Sequence, residues 1–319
     1  MFFVIWQKRV LLLYSIIVVC CAAFLLERDS ITFAQDDPPS MRLVRIIESD
    51  YPGIANPAGL VFSPKAKNFF VMRDTRVSPP SNGGSDVTKI TLFEDPAGSV
   101  RVPLMITDPV NMTFDWKANR LLILQSNTRN LFEIRANTNG SLNTKKITRY
   151  GANDFDLQDP QGVTVNPANG HLFILDSAMK RIVHVEPNPD QSFHDAAVSY
   201  IDLKQRDIPD LRGIALNPNN SHLYLLSPSR QELYEFTQAG QFVSVRDLSE
   251  LELKDPQGMV FALTGDLTAD PTKMSLYIAD SCLTTRQNQN TRSFKDTQSP
   301  GQRNRGEQLT GMIIELSLR

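Results

Sequence analysis

Acidic and amide side chains recur in this sequence where their oxygens could gather. Asn56, Asp108, Asp159, Asp210 and Asp255 are spaced 52, 51, 51 and 45 residues apart. A second set, Asp74, Asp176 and Asp280, ends the apolar segment after three of them. A ring of such oxygens is a hard-oxygen environment suited to Ca2+ or another divalent cation such as Mg2+. The same side chains also accept hydrogen bonds from nearby backbone N–H groups and fix turns. Recurrence in every unit suits the turn role, which needs no special site, and both roles stay open at this point. Other chemistries lack their residues. Of the four His, at 171, 184, 194 and 222, His171 and His222 share one repeat position, which points to a structural role. There is no nucleophile elbow and no phosphate-cradling glycine loop. Cys282 is the one Cys beyond residue 21, so beyond that point no internal disulfide can form, and it reads as a small apolar filler at a strand end.

The segments around these residues repeat. "NPAGLVF" (56–62), "DPVNMTF" (108–114), "DPQGVTV" (159–165), "DLRGIAL" (210–216) and "DPQGMVF" (255–261) each enter an apolar strand. A turn such as "NPANG" (166–170) follows, then a second strand: "NFFVMRD", "RLLILQS", "HLFILDS", "HLYLLSP" and "SLYIADS". Third strands read as "KITLFE", "NLFEI", "RIVHV", "ELYEF" and "GMIIEL", and fourth strands as "RVPLMI", "KKITRY", "AVSYIDL" and "FVSVRDL". Short aromatic and β-branched strands at regular spacing, without amphipathic helices between them, indicate an all-β repeat protein. Four antiparallel strands in about 50 residues, repeated radially, make a β-propeller. The last repeat lacks a fourth strand, and "MRLVRIIES" (41–49) is an orphan strand before the first. Pairing the two closes the ring and removes an open edge. The expectation is five blades, with six as the alternative, in a single domain over residues 41–319.

The run "PQGVTVNPANGHLFILDSAMKRIVHV" (160–185) resembles an NHL-type propeller repeat and is similar to the SdiA-regulated propellers. The third and fifth repeats carry the pattern most fully. The second has Asn111 for Gly and Gln125 for Asp, and the fourth has Leu211 for Pro and Ser227 for Asp. The resemblance implies a scaffold whose members serve as binding platforms, sensors and a few enzymes.

Because propeller strands alternate in direction, the loop into the first strand and the turn after the second emerge on one face. That face would hold all eight acidic or amide candidates around the channel. Two insertions emerge there as well: "TRVSPPSNGGSDVT" (75–88) and a longer one over Cys282–Thr310. The longer one carries Arg286, Arg292, Lys295, Arg303 and Arg305 against Asp296 and Glu307. Long loops in compact domains are commonly functional or disordered, so these five cations are binding-loop candidates.

The chain has 319 residues, 41% hydrophobic, and a net charge of −2. That near balance gives no global field for nucleic acid, which is not expected as a partner. Lys8 and Arg9 precede an uncharged run, Val10–Leu26, and acidic residues follow it. This pattern predicts export to a periplasmic or extracellular location, through a signal peptide over residues 1–34 or an anchor at 10–26. Residues 35–40 then form a linker, and membrane contact runs only through the N-terminal segment. The expected function is an exported, non-enzymatic binding scaffold for a protein, glycan or small molecule. The alternative is a metal-dependent lactonase or esterase-like hydrolase at the channel mouth.

Overall fold

The computed structural model describes residues 40–49, 57–73, 86–92, 96–102, 106, 109–138, 141–284 and 308–318. All of them fall in one compact unit, Pro39–Arg319. No helix among them is long and apolar enough to cross a membrane. The segment expected to direct export lies outside the described residues.

The strands form five four-stranded antiparallel sheets. Blade 1 comprises β2 (Pro57–Ser63), β3 (Asn68–Arg73), β4 (Asp86–Thr91) and β5 (Pro96–Arg101). Blade 2 comprises β6 (Pro109–Asp115), β7 (Arg120–Gln125), β8 (Asn130–Ala136) and β9 (Leu142–Tyr150). Blade 3 comprises β10 (Pro160–Val165), β11 (Leu172–Asp176), β12 (Arg181–Glu186) and β13 (Ala197–Asp202). Blade 4 comprises β14 (Arg212–Leu216), β15 (Leu223–Ser227), β16 (Glu232–Phe236) and β17 (Phe242–Asp247). Blade 5 comprises β18 (Pro256–Leu263), β19 (Met274–Thr284) and β20 (Gln308–Leu318), completed by β1 (Met41–Ser49). β1 pairs antiparallel with β20 from Met41 opposite Leu318 to Ser49 opposite Gly311, so the orphan strand closes the ring as its sequence predicts.

The first strands of successive blades contact one another around the axis, and β18 meets β2. Apolar faces of adjacent blades then interlock in five cores. Leu122 and Leu124 meet Val163 and Ile174 between blades 2 and 3, and Phe69 and Val71 meet Tyr277 and Ile313 between blades 1 and 5. Burial follows position. β6 and β7 are buried at every residue, being covered by a blade on each side, whereas the outer strand β17 exposes every second residue. That contrast accounts for continuous apolar runs in inner strands and alternating patterns in outer ones.

Two boundaries differ from the sequence reading. The fourth strand of blade 1 is Pro96–Arg101 rather than "RVPLMI". Past Arg101, Pro103 has no N–H for a ladder, and Val102 and Ile106 instead bury into the core between blades 1 and 2. The last insertion is shorter than expected, because β19 and β20 stay paired out to Thr284 opposite Gln308.

Candidate functional site

The Pro-x-Gly entrance decides what lines the axis. In every blade the register between first and second strands slips there, between Pro57 and Gly59, Pro109 and Asn111, Pro160 and Gly162, Arg212 and Ile214, and Pro256 and Gly258. A bulge bends its strand and re-aims a side chain. In blades 3 and 5 the glycine is a packing requirement. A Cβ on Gly162 would lie 2.9 Å from the Ile214 nitrogen, and one on Gly258 would lie 2.7 Å from the Leu60 nitrogen. First strands therefore approach backbone to backbone, and the residue before the glycine is left at the channel mouth.

Val110, Gln161, Arg212 and Gln257 occupy that place and line a cavity of about 370 Å³ with Asp159, Asp210 and Asp255. Its walls also include Ser126 and Ser177 from the turns after the second strands. Gln161 Nε2 donates to Asp159 Oδ1 at 2.7 Å. Arg212 spans two blades, donating from Nη1 to Asp255 Oδ1 at 2.5 Å and from Nε to Asp210 Oδ1 at 3.3 Å. Among the described residues the mouth thus holds three carboxylates against one guanidinium. The other end of the channel differs in both size and chemistry: a space of about 30 Å³ lined by Phe114, Trp116, Val165 and Phe261 among others.

The eight predicted rim residues divide three ways. Asp159, Asp210 and Asp255 come together at the mouth. Asp176 and Asp280 are fully buried beneath it and bond backbone. Asp176 accepts from the N–H of Asp159 at 2.9 Å and of Gln158 at 3.2 Å, and Asp280 accepts from the N–H of Asp255 at 2.8 Å and of Lys254 at 3.0 Å. In return Ser177 N–H donates to the Asp159 carbonyl and Ser281 N–H to the Asp255 carbonyl. The two halves of the repeated motif therefore clamp each other. Burial pushes the Asp280 carboxyl up, against the pull of those two N–H donors. In blade 4 the equivalent Ser227 makes a single bond, Oγ to the Pro209 carbonyl at 2.7 Å. Asn56, Asp74 and Asp108 lie outside the described residues, as do Arg286, Arg292, Lys295, Arg303 and Arg305.

Strand periodicity does not single out Gln161, Arg212 and Gln257. The available signal was that the variable position of Pro-x-Gly is polar in three consecutive repeats and apolar in Ala58 and Val110. The bulge that turns this position toward the axis is not written in strand periodicity.

No curated protein matches the chain. Among solved structures it is similar to a chain of the nidogen/laminin complex, at 14% identity over 71% of this chain and 73% of that one, with a TM-score of 0.47. It is also similar to the periplasmic gluconolactonase PpgL of Pseudomonas aeruginosa, at 12% identity over 73% and 70%, TM-score 0.46. A luciferin-regenerating enzyme is similar at 10% identity over 88% and 95%, TM-score 0.49. None of these likenesses bears on what this chain binds or does. The family model described as SdiA-regulated matches residues 116–261, so the resemblance carried by the repeats is to a β-propeller family, and the structure is a five-bladed propeller.

Proposed function

We propose that the protein is an exported binding propeller that takes a small polar ligand, or a polar group of a larger one, at the channel mouth framed by Gln161, Arg212 and Gln257. The observation that carries this reading is the polar cavity itself, where side chains from blades 3, 4 and 5 converge while the opposite end is smaller and lined mainly by apolar residues. Ligand sites combine a concave shape with a few convergent polar groups. Two carboxamides, one guanidinium and several carboxylates offer donors and acceptors suited to a ligand with many hydrogen-bonding groups, such as a glycan or polyol. Export is supported by Lys8 and Arg9 before the uncharged run 10–26.

A metal-dependent hydrolase at the same mouth would need at least three oxygen ligands converging on one point. Among the described residues, Asp210 and Asp255 both engage Arg212, and Asp159 engages Gln161, so the binding reading is favoured. Screening the protein against glycan and metabolite libraries by thermal shift tests it. Hits should be lost in Gln161→Leu and Gln257→Leu. Hits that bind these variants as tightly as the wild type would sink the assignment of the site.

A further inference from the structure

On the half of the propeller away from the Asp-bearing rim, each blade places a polar residue of its third strand against the start of its second, facing the next blade. In blades 2, 4 and 5 this residue is a buried glutamate with an arginine. Glu133 pairs with Arg120, Glu235 with Arg246 and Glu315 with Arg45. Blade 3 departs from the pattern. Its register puts His184 where blade 4 has Glu235, and Ile201 where blade 4 has Arg246. His171 stands where blade 4 has His222, and Glu186 lies two residues beyond His184 on the same face of the strand. Ligand atoms of His171, His184 and Glu186 all lie within 4.8 Å of one another, the one such cluster of three among the described residues.

We propose that His171, His184 and Glu186 form a site for a divalent first-row transition ion, with zinc as the reference occupant. Imidazole and carboxylate are the donors such ions prefer, and two His with one Glu leave a fourth position for solvent. The geometry is close to what binding needs. His171 Nδ1 and His184 Nε2 are 2.8 Å apart, while two nitrogens on a tetrahedral zinc stand about 3.3 Å apart, so a small ring rotation admits the ion. Either ring can carry the proton of a hydrogen bond along that contact. On binding, the ring that carries it moves it to its far nitrogen, both facing nitrogens present lone pairs, and no net proton is released. His184 is prepared for this role. Its Nδ1 lies 3.0 Å from Ser199 Oγ, which can hold the Nδ1–H tautomer, and its ring stacks on Phe173 at 4.8 Å with an interplanar angle of 10°.

The test is calorimetric titration of the metal-stripped full-length protein with Zn2+. The expected result is saturable binding that weakens by about a hundredfold or more in both His171→Asn and His184→Phe, and about tenfold in Glu186→Gln. Phenylalanine keeps the stack on Phe173 and asparagine is the residue blade 1 carries at this place, so native circular dichroism is expected in both. His222→Ala, at the equivalent position of blade 4, should bind zinc as the wild type does. Absence of saturable zinc binding would overturn the proposal, as would binding undiminished in a natively folded His171→Asn/His184→Phe double variant.

Discussion

The propeller carries two polar rings, and they are built to opposite ends. At the channel mouth, Asp159, Asp210, Asp255, Gln161, Arg212 and Gln257 face a cavity and keep hydrogen-bonding capacity to spare. Between the blades, Glu133, Glu235 and Glu315 are sealed and saturated. Glu133 alone accepts from Arg120 at 2.7 Å, Tyr150 at 2.8 Å and Arg135 at 2.9 Å. Charged groups can be buried when each has its partners, whereas a group left open toward solvent can take up a ligand. The difference separates charge that holds blades in register from charge that can recognise something else.

The largest expected effect breaks the sealed ring. Arg120 is fully buried, bonded to Asp115 at 2.9 Å as well as to Glu133, with its guanidinium 4.3 Å from the Phe193 ring of blade 3. Glu133→Ala should cost about 3–5 kcal/mol, because it leaves a buried cation half-compensated. Denaturant unfolding monitored by fluorescence would measure this. A loss below about 1 kcal/mol would mean that water reaches the pair. The Tyr150 hydroxyl, pushed up to about 12 by burial and by Glu133, should move back down in the same variant.

The second effect is a pH dependence. Burial alone would raise the Glu235 carboxyl, but hydrogen bonds from Arg246, His222, Tyr224 and Ser244 outweigh it and hold the group at about 2, below its ordinary 4.5. A folded-state pKa below the unfolded one stabilises the protein above pH 4.5, and that stability is lost as pH falls toward 2. The contribution is about 3 kcal/mol. Wild type should therefore lose more stability than Glu235→Gln over this window, and parallel acid-unfolding curves for the two proteins would refute the assignment.

A third, of about 1–3 kcal/mol, concerns the clamp that supports the open ring. Asp176→Ala removes the acceptor of two loop N–H groups and of Arg181, whose Nη2 lies 3.3 Å away. Ser227→Ala in blade 4 removes one bond and should cost about 1 kcal/mol. Equal costs at the two positions would show that the carboxylate is no better a clamp than a hydroxyl.

The comparison also explains what could be read from sequence. Blade number, strand order and closure by Met41–Ser49 were legible because they depend on local periodicity repeated five times. The rim position of Asp159, Asp210 and Asp255 followed from strand direction alone. The sealed ring was not legible. Arg120 and Glu133 are 13 residues apart on neighbouring strands and look like ordinary solvent-facing charges until the next blade covers them. Nor did sequence separate Asp176 from Asp159. Both are acidic and sit in the same repeated motif, yet one closes on backbone and the other faces the cavity.

The smallest effect on stability should fall on the residue with the most to say about function. Arg212 is about one-third exposed, 33%, and Asp255 about half, 48%, so their ion pair is solvent-screened and contributes at most about 1 kcal/mol. Arg212→Ala should accordingly leave the unfolding midpoint nearly unchanged. It would, however, free both Asp210 and Asp255, leaving three carboxylates and no cation among the described residues of the mouth. Recognition of a neutral polar ligand should weaken, while affinity for Ca2+ at the mouth should rise. Calorimetry of the variant with Ca2+ and with any ligand found by screening measures both changes. Unchanged ligand affinity beside unchanged stability would mean that Arg212 merely neutralises the rim and that recognition lies elsewhere on the propeller.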